Sequence, residues 1–282
     1  MENEVNLSGQ AVPWERATIE KLLFAELRER RAARRWRLLR SLLWMGLVGA
    51  LVWVLASEQL PSATPSSAHT AMVAIKGEIS DAGEGSAEYI LPALRSAMQD
   101  KGAQALVLLI NSPGGSPVQA GLIHDEIRRL RALHDKPVYA VVEESCASAA
   151  YYIAAGADRI YVDKASLVGS IGVLINGFGF TGTLDKLGVE RRLLTAGENK
   201  GFLDPFSPQS DAQRAHAQRM LDQIHQQFIG VVRQGRGERL KETPDMFSGL
   251  FWTGEQAVQL GLADQLGSLD MVAREVVKAE KL

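Results

Sequence analysis

The chain has 282 residues, 46% hydrophobic and 23% charged, which is enough for one sizeable globular domain with additional segments. A formal net charge of −2 gives no indication of a nucleic-acid or other polyanionic partner. The single cysteine, Cys146, excludes an intrachain disulfide and is expected to be a small buried residue. The histidines show no metal-ligand spacing, so neither a metal nor a cofactor is predicted.

An arginine-rich block precedes the most apolar stretch of the chain. Residues 1–37 are predicted to be a cytoplasmic N-terminal segment, and seven arginines between Arg28 and Arg40 adjoin the uncharged residues 41–57. As a helix those residues would extend about 25 Å, at the short end for crossing a bilayer. We therefore predict a transmembrane signal anchor at residues 38–57, rather than a core helix or a cleaved signal peptide. The positive-inside rule then places the rest of the chain across the membrane.

Residues 58–70 are rich in Pro, Ser, Thr and Ala, which is typical of a flexible linker, and residues 71–282 are predicted to form the soluble domain. Strands and helices alternate from there, which indicates an α/β fold with a largely parallel sheet. Strands are predicted at 72–76, 105–110, 138–142, 159–162 and 171–175. Helices are predicted at 86–99, 117–133 and 207–234, with His216 and His225 of the last helix expected to be solvated.

Two loops follow neighbouring predicted strands, where the ligand sites of parallel sheets collect. In the first loop, the Gly114-Gly115 turn could present bare backbone N–H groups to an oxyanion. In the second loop, the chain is expected to turn through residues 143–146 and then to place Ser148 at the start of a helix, a suitable position for a nucleophile. Taken alone, each loop is better explained as an ordinary tight turn or a helix cap.

Several segments together resemble the signal peptide peptidase A family, the membrane-anchored Ser-Lys serine peptidases with a crotonase-like and Clp-protease-like fold. The resemblance covers roughly residues 71–273, and its segments are "INSPGG", "ASAAYYIA", "ASLVGSIGV", "TAGENKGFLDPFSP" and "WTGEQAVQLGLADQLG". It implies a short, single-domain member built from repeated ββα/βαβ units with a mostly parallel sheet, preceded by one N-terminal transmembrane helix.

The resemblance also implies the chemical roles of individual residues. Ser148 would be the nucleophile, Lys200 the general base, and Ser170 the hydroxyl that orients the lysine. The backbone amides of Gly115 and Ser148 would form the oxyanion hole. An amine acts as a base only after losing its proton, which burial in an apolar site favours.

Two further positions are implied to contact the substrate, namely Gly114 and Ala149. Many family members have Gly-Gly after the nucleophile, whereas this chain has Ala149-Ala150. The additional methyl groups are expected to narrow the site while leaving the backbone amides in place.

The function implied by the resemblance is a membrane-anchored serine endopeptidase that cleaves hydrophobic peptides through an acyl-enzyme. It would be a single-pass protein of the bacterial inner membrane with a periplasmic catalytic domain. Its substrates would be remnant signal peptides or membrane-associated proteins. Short members close into homo-oligomeric rings, in which the serine of one subunit faces the lysine of its neighbour.

Two alternatives to a peptidase remain open from the sequence. The first is a crotonase-fold acyl-CoA hydratase or isomerase, which would use carboxylate acids and bases and would turn over thioesters. The second is a catalytically inactive membrane scaffold that keeps the fold. Labelling of Ser148 by a fluorophosphonate distinguishes a serine hydrolase from a scaffold.

Overall fold

The computed structural model of the chain describes residues 35–53, 67–279 and 281, in two compact units that divide at residue 64. In the first unit, helix α1 (Arg35–Trp53) has 19 residues, and its apolar side chains are exposed. Its described residues include three that precede the predicted span 38–57. Most of the predicted segment 1–37, the end of the predicted span and most of the predicted linker lie outside the described residues.

The second unit contains alternating strands and helices. Its strands are β1 (His69–Lys76), β2 (Ala103–Ser112), β3 (Val138–Ala147), β4 (Arg159–Val162), β5 (Leu167–Gly169), β6 (Phe251–Thr253) and β7 (Gln265–Leu266). Its helices are α2 (Ala87–Gln99), α3 (Pro117–Leu133), α4 (Ala149–Ala154), α5 (Thr181–Lys186), α6 (Asp211–Arg236), α7 (Gly254–Gln259) and α8 (Leu269–Met271), and α8 continues as a π-helix over Val272–Val277.

These strands form one sheet, in which β1, β2, β3, β4 and β7 are neighbours in that order and all parallel. The end of β3 also pairs in parallel with β5, and β6 adds to β5 as an antiparallel strand. The prediction of a mostly parallel α/β sheet is therefore confirmed.

The core lies on both faces of this sheet. The apolar run of β2 alternates between the two faces, and residues 105–110 are buried throughout, as expected for a strand covered on both sides. The larger cluster contains side chains of α2, α3, α4 and α6, including Leu94, Ile123, Ile153 and Phe228. A smaller cluster on the other face is closed by the C-terminal segment through Val272.

The beginning and end of the described domain meet at one edge of the sheet. The Thr70 backbone N–H donates to the Lys281 carbonyl at 2.7 Å, and the Thr70 hydroxyl donates to the Ala279 carbonyl at 2.8 Å. These contacts order residues that the sequence assigned to the linker, so β1 begins at His69, inside the predicted range 58–70. These contacts lie at the amino end of β1, whereas the loops that follow β2 and β3 lie at the carboxyl ends of the parallel strands.

Three predicted boundaries are wrong in ways that affect the site. Strand β3 does not turn at residues 143–146 but continues to Ala147, because a register shift opposite Ser112 lets its last residues pair with β5. The strand predicted at 171–175 is absent, and β5 lies just before it. Helix α6 begins at Asp211 instead of 207, because Ser210 and Gln213 form a capping box.

Candidate active site

Ser148 lies between β3 and α4 in a backbone conformation that few non-glycine residues adopt, with φ 52° and ψ −123°. Its backbone N–H donates to the Gly169 carbonyl at 2.8 Å, and its carbonyl accepts from the Tyr152 N–H at 3.0 Å. These bonds hold a conformation that costs on the order of 1–3 kcal/mol. Backbone strain of this kind is typical of a serine held at the tip of a strand-to-helix turn for attack.

The Gly114-Gly115 turn packs directly against this serine. Gly114 has φ +106°, and a Cβ placed on it would lie 2.7 Å from the Ser148 Cβ. Gly115 has φ +144° and forms an isolated bridge with Ile79, whose carbonyl accepts from the Ser116 N–H at 2.7 Å. A Cβ on Gly115 would lie 2.0 Å from the Ile79 carbonyl oxygen, so neither position accommodates a side chain.

The backbone N–H groups that are free to bind an oxyanion differ at one position from the predicted pair, Gly115 and Ser148. The Ser148 N–H is already bonded to Gly169 within the sheet, which argues against its assignment as a donor. Among the residues that the structure describes, the N–H groups of Gly115 and Ala149 have no hydrogen-bond acceptor, and both residues line the same cavity as Ser148. Gly115 and Ala149 are therefore the better pair of candidate donors.

The cavity beside Ser148 has a volume of about 740 Å³ and is lined largely by apolar side chains. Helix α6 supplies much of one wall, and Tyr152 of α4 supplies another part. The Tyr152 ring is supported by an edge contact with His124, whose pKa is lowered by burial so that the neutral imidazole is favoured. None of the described lining residues is charged. The apolar lining residues on α6 are Met220, Leu221, Ile224 and Phe228.

Ser170 lines this cavity together with Ser148, and it also has a positive φ of 49°. Its N–H donates to the Leu250 carbonyl at 2.8 Å. The next residue, Ile171, is held by His225, whose Nε2 lies 3.1 Å from the Ile171 carbonyl oxygen and must donate because a carbonyl only accepts. The expectation that His225 is solvated is wrong, and its role in fixing this turn was not predicted.

The structure predicts that His225 positions the Ser170 turn through this hydrogen bond. We expect His225→Leu to lower kcat for a peptide substrate about 3- to 10-fold, because one hydrogen bond next to Ser170 is lost. His225→Gln, which places an amide N–H near the position of Nε2, should recover most of kcat. Thermal unfolding of both variants serves as the control. Equal kcat for His225→Leu and the wild type would contradict this role.

Lys200 lies outside the cavity in the single chain. Its side chain is exposed, and its backbone N–H donates to the Gly197 carbonyl at 3.1 Å in a turn of the loop between α5 and α6. The loop is attached to α6 by an edge contact between the rings of Phe202 and His216. The structure thus brings Gly114, Gly115, Ser148, Ala149 and Ser170 together and leaves Lys200 apart. Cys146 is buried, and burial raises the pKa of its thiol.

Comparison with known protein families identifies the family that has this arrangement of residues. A model of Peptidase family S49 matches residues 131–282, which is more than half of the chain. The chain belongs to peptidase family S49. The match includes Ser148, Ser170 and Lys200, whereas the Gly114-Gly115 turn precedes it. Both the resemblance to the signal peptide peptidase A family and the predicted crotonase-like and Clp-protease-like fold are confirmed.

Three relatives show how this S49 chain compares with longer proteins. "Protease 4" of Haemophilus influenzae is 30% identical over 216 residues, 75% of this chain and 34% of the relative. "Serine protease SPPA, chloroplastic" of Arabidopsis thaliana is 28% identical over 197 residues, 69% of this chain and 29% of the relative. "Na(+)/H(+) antiporter NhaA" of Brucella melitensis biotype 1 is 49% identical over 178 residues, 62% of this chain and 24% of the relative. The chain thus spans about a quarter to a third of these relatives.

Proposed function

We propose that this S49 chain is a membrane-anchored serine endopeptidase that cleaves hydrophobic peptides with Ser148 as nucleophile and Lys200 as base. The observation that supports it best is the position of Ser148. A strained turn holds this serine at an apolar cavity, beside the acceptor-free amides of Gly115 and Ala149. A nucleophilic hydroxyl, free amides for the oxyanion and a concave apolar surface are among the features that acyl transfer from a peptide requires.

In the proposed reaction, the Ser148 Oγ bonds to the scissile carbonyl carbon while the base accepts the hydroxyl proton. The carbonyl oxygen becomes an oxyanion, which the N–H groups of Gly115 and Ala149 stabilise. The C–N bond then breaks as the proton passes to the leaving amine, and an acyl-enzyme on Ser148 remains. Water hydrolyses this ester and restores the free hydroxyl.

The base is proposed to come from a second copy of the chain. The cavity contains the Ser170 hydroxyl but no lysine or histidine among its described lining residues, whereas Lys200 is exposed. The segment that carries Lys200 also exposes large apolar side chains, including Leu187 and Leu194, the latter 96% exposed. Exposed apolar groups concentrated in one segment support contact with another subunit. A head-to-tail ring would place one Lys200 at each Ser148.

The substrate is proposed to be an apolar peptide, such as a remnant signal peptide or part of a membrane-associated protein. The cavity wall formed by Ile224 and Phe228 favours an apolar P1 residue such as Leu, Ala or Phe. The described lining residues include no carboxylate, which a hydratase or isomerase of this fold would need as acid or base. The lining therefore favours a peptidase over a thioester enzyme.

The test uses the full-length chain in detergent, a fluorophosphonate probe and a peptide library. We expect the probe to label Ser148, and Ser148→Ala to abolish labelling and to lower kcat/KM at least about 10³-fold, since the nucleophile is removed. The library should show apolar P1 residues. Unchanged cleavage by Ser148→Ala would refute the assignment, and the absence of both labelling and cleavage in the wild type would favour the scaffold.

The membrane anchor is proposed to be residues 38–57, between a cytoplasmic segment 1–37 and a periplasmic part formed by linker 58–70 and peptidase domain 71–282. Helix α1 is long and apolar enough to cross a bilayer, and arginines at its N-terminal end favour a cytoplasmic start in a bacterial inner membrane. A reporter that is active only in the periplasm is fused after Leu282, and we expect it to be active. Activity of a cytoplasm-dependent reporter at the same position would reverse the orientation.

A further inference from the structure

Hydrogen bonds on both sides hold the Gly114-Gly115 turn, and one of them comes from a buried side chain. Ser112 is the last residue of β2 and has no exposed surface. Its Oγ accepts from the Gly114 N–H at 3.2 Å. On the other side, the Gly114 carbonyl accepts from the Ile79 N–H at 2.9 Å, and the Ser116 N–H donates to the Ile79 carbonyl at 2.7 Å. The Ser112 hydroxyl thus restrains the peptide group that enters the turn.

These bonds determine the direction of the Gly115 N–H. The peptide bond between Gly114 and Gly115 is trans, so its carbonyl and its N–H point in opposite directions. The Gly114 carbonyl is bonded to the Ile79 N–H, so the Gly115 N–H is directed away from Ile79. This N–H has no acceptor among the described residues, and Gly115 lines the cavity beside Ser148. The orientation of this candidate oxyanion donor therefore depends on how the turn is anchored.

Two consecutive glycines cannot hold this orientation by themselves. Glycine adopts positive and negative φ about equally readily, so Gly114 and Gly115 have many alternatives to the φ values of +106° and +144° found here. The restraint must therefore come from the surroundings of the turn. Ile79 contributes backbone groups, which do not depend on its side chain. At the Gly114 N–H the acceptor is a side-chain hydroxyl, so this restraint depends on the residue type at Ser112.

Ser112 is itself fixed against the strand that carries the nucleophile. It pairs with Cys146 of β3 after the register shift, and its carbonyl accepts from the Ser145 hydroxyl at 3.2 Å. Strand β3 ends immediately before Ser148. Ser112 therefore connects the nucleophile strand with the turn that carries the Gly115 N–H. A buried N–H that loses its acceptor is costly, so removal of the Ser112 hydroxyl favours a shift of the turn.

We propose that Ser112 is a positioning residue for acyl transfer, whose hydroxyl keeps the Gly115 N–H directed at the oxyanion formed on attack by Ser148. This proposal rests on the proposed peptidase function. Ser112 is not among the described residues that line the cavity, so it acts through Gly114 and not on the substrate. The hydrogen bond is already formed in the free chain and needs no rearrangement during the reaction. Its loss should weaken binding of the transition state and leave substrate binding nearly unchanged.

The experiment compares Ser112→Ala with Ser112→Thr in the full-length chain in detergent. It measures kcat and KM for a chromogenic peptide and the rate at which a fluorophosphonate labels Ser148. In labelling, the Ser148 Oγ bonds to phosphorus, fluoride leaves, the hydroxyl proton passes to the base, and the phosphoryl oxygen occupies the oxyanion site. We expect Ser112→Ala to lower kcat and the labelling rate about tenfold and to keep KM within about twofold, since one hydrogen bond is lost. Ser112→Thr keeps the hydroxyl and should recover most of both rates.

Ser166→Ala is the matched control. Ser166 is 2% exposed, and its Oγ accepts from the Asp163 N–H at 3.0 Å, but it is not among the described residues that line the catalytic cavity. This variant removes a buried hydroxyl that makes the same kind of bond. The temperature of thermal unfolding should fall as in Ser112→Ala, while kcat and the labelling rate stay within about twofold of the wild type.

Several results would overturn the proposal. One is a folded Ser112→Ala variant whose kcat and labelling rate stay within about twofold of the wild type, and another is a loss that appears in KM alone. An equal loss in Ser166→Ala would show that lowered stability, and not the position of the turn, reduces activity. A folded Ser112→Thr variant that stays at the level of Ser112→Ala would exclude the hydroxyl as the cause.

A further variant keeps the test decisive. If Ser112→Ala does not fold, Ser112→Cys under reducing conditions keeps the side-chain size with a weak acceptor, and we expect the same loss of about tenfold. If the wild type is labelled at Ser148 but cleaves no peptide, the proposed peptidase function fails while the labelling rates still decide the role of Ser112. A wild type that shows neither labelling nor cleavage refutes both.

Discussion

An equal mixture of Ser148→Ala and Lys200→Ala subunits is expected to recover about a quarter of the wild-type peptidase activity, although each variant alone is inactive. In a single chain Ser148 lines the cavity and Lys200 is exposed outside it, and under the proposal above the lysine of another subunit completes the site. In the proposed ring every interface is identical, and random assembly makes a site whole with probability one half times one half, about a quarter. Cleavage of a chromogenic peptide after co-expression measures this fraction.

The control for this experiment is proof that subunits have mixed. Co-expression with two different tags and tandem purification isolates rings that contain both variants, and each variant carrying both tags gives the background. If the serine and lysine of one chain work together, no subunit in the mixture has both, and activity remains at that background. Verified mixed rings with background activity would reject the inter-subunit site and leave the assignments of Ser148 and Lys200 standing.

Gly114→Ala is expected to lower kcat/KM about 10²-fold or more. The new Cβ would lie 2.7 Å from the Ser148 Cβ and 2.8 Å from the Ala147 carbonyl oxygen, and φ +106° disfavours any side chain there. Relief of these contacts must move either the nucleophile or the turn that carries the Gly115 amide. The loss should therefore be comparable to that of an oxyanion donor, which costs about 10²- to 10³-fold.

Gly121→Ala in α3 is the matched control for this substitution. A Cβ at Gly121 meets no atom within 4 Å, and alanine in a helix is more stable than glycine by about 0.5–1 kcal/mol. This variant should keep full activity and unfold at a slightly higher temperature. Circular dichroism of both variants separates misfolding from a local effect at the site. If folded Gly114→Ala cleaves within about threefold of the wild-type rate, the proposed contact between the turn and the nucleophile is wrong.

The parallel sheet and the meeting of two loops were predictable because their signals are local. The apolar run 105–110 and the small residues around Ser148 fix a buried strand and a tight strand-to-helix turn through their own burial and sterics. The same sequence indicated that the loops after β2 and β3 would be neighbours. What it placed wrongly was the end of β3, because its continuation to Ala147 depends on pairing with β5, which comes later in the chain.

Which backbone amides are free at the site, and where Lys200 lies in the single chain, could not be predicted from the sequence for a different reason. Whether the Ser148 or the Ala149 amide is free depends on the Gly169 carbonyl, a contact across the sheet that no local pattern encodes. His225 reaches Ile171 in the same way, and its polar helical neighbours suggested only solvation. The segment after Ser170 has strand-like composition, yet the described chain offers it no partner, so composition alone misassigned it.

Hydrogen bonds of Thr70 with Ala279 and Lys281 bring the two ends of the described domain together. This is the arrangement of a domain that can be inserted into different proteins. These contacts lie at the amino end of β1, whereas Ser148 and the Gly114-Gly115 turn follow the carboxyl ends of β3 and β2. Such a domain can be joined to unrelated sequence without redesign of its chemistry. Relatives in which the aligned stretch is only a quarter of a much longer polypeptide are compatible with that modularity.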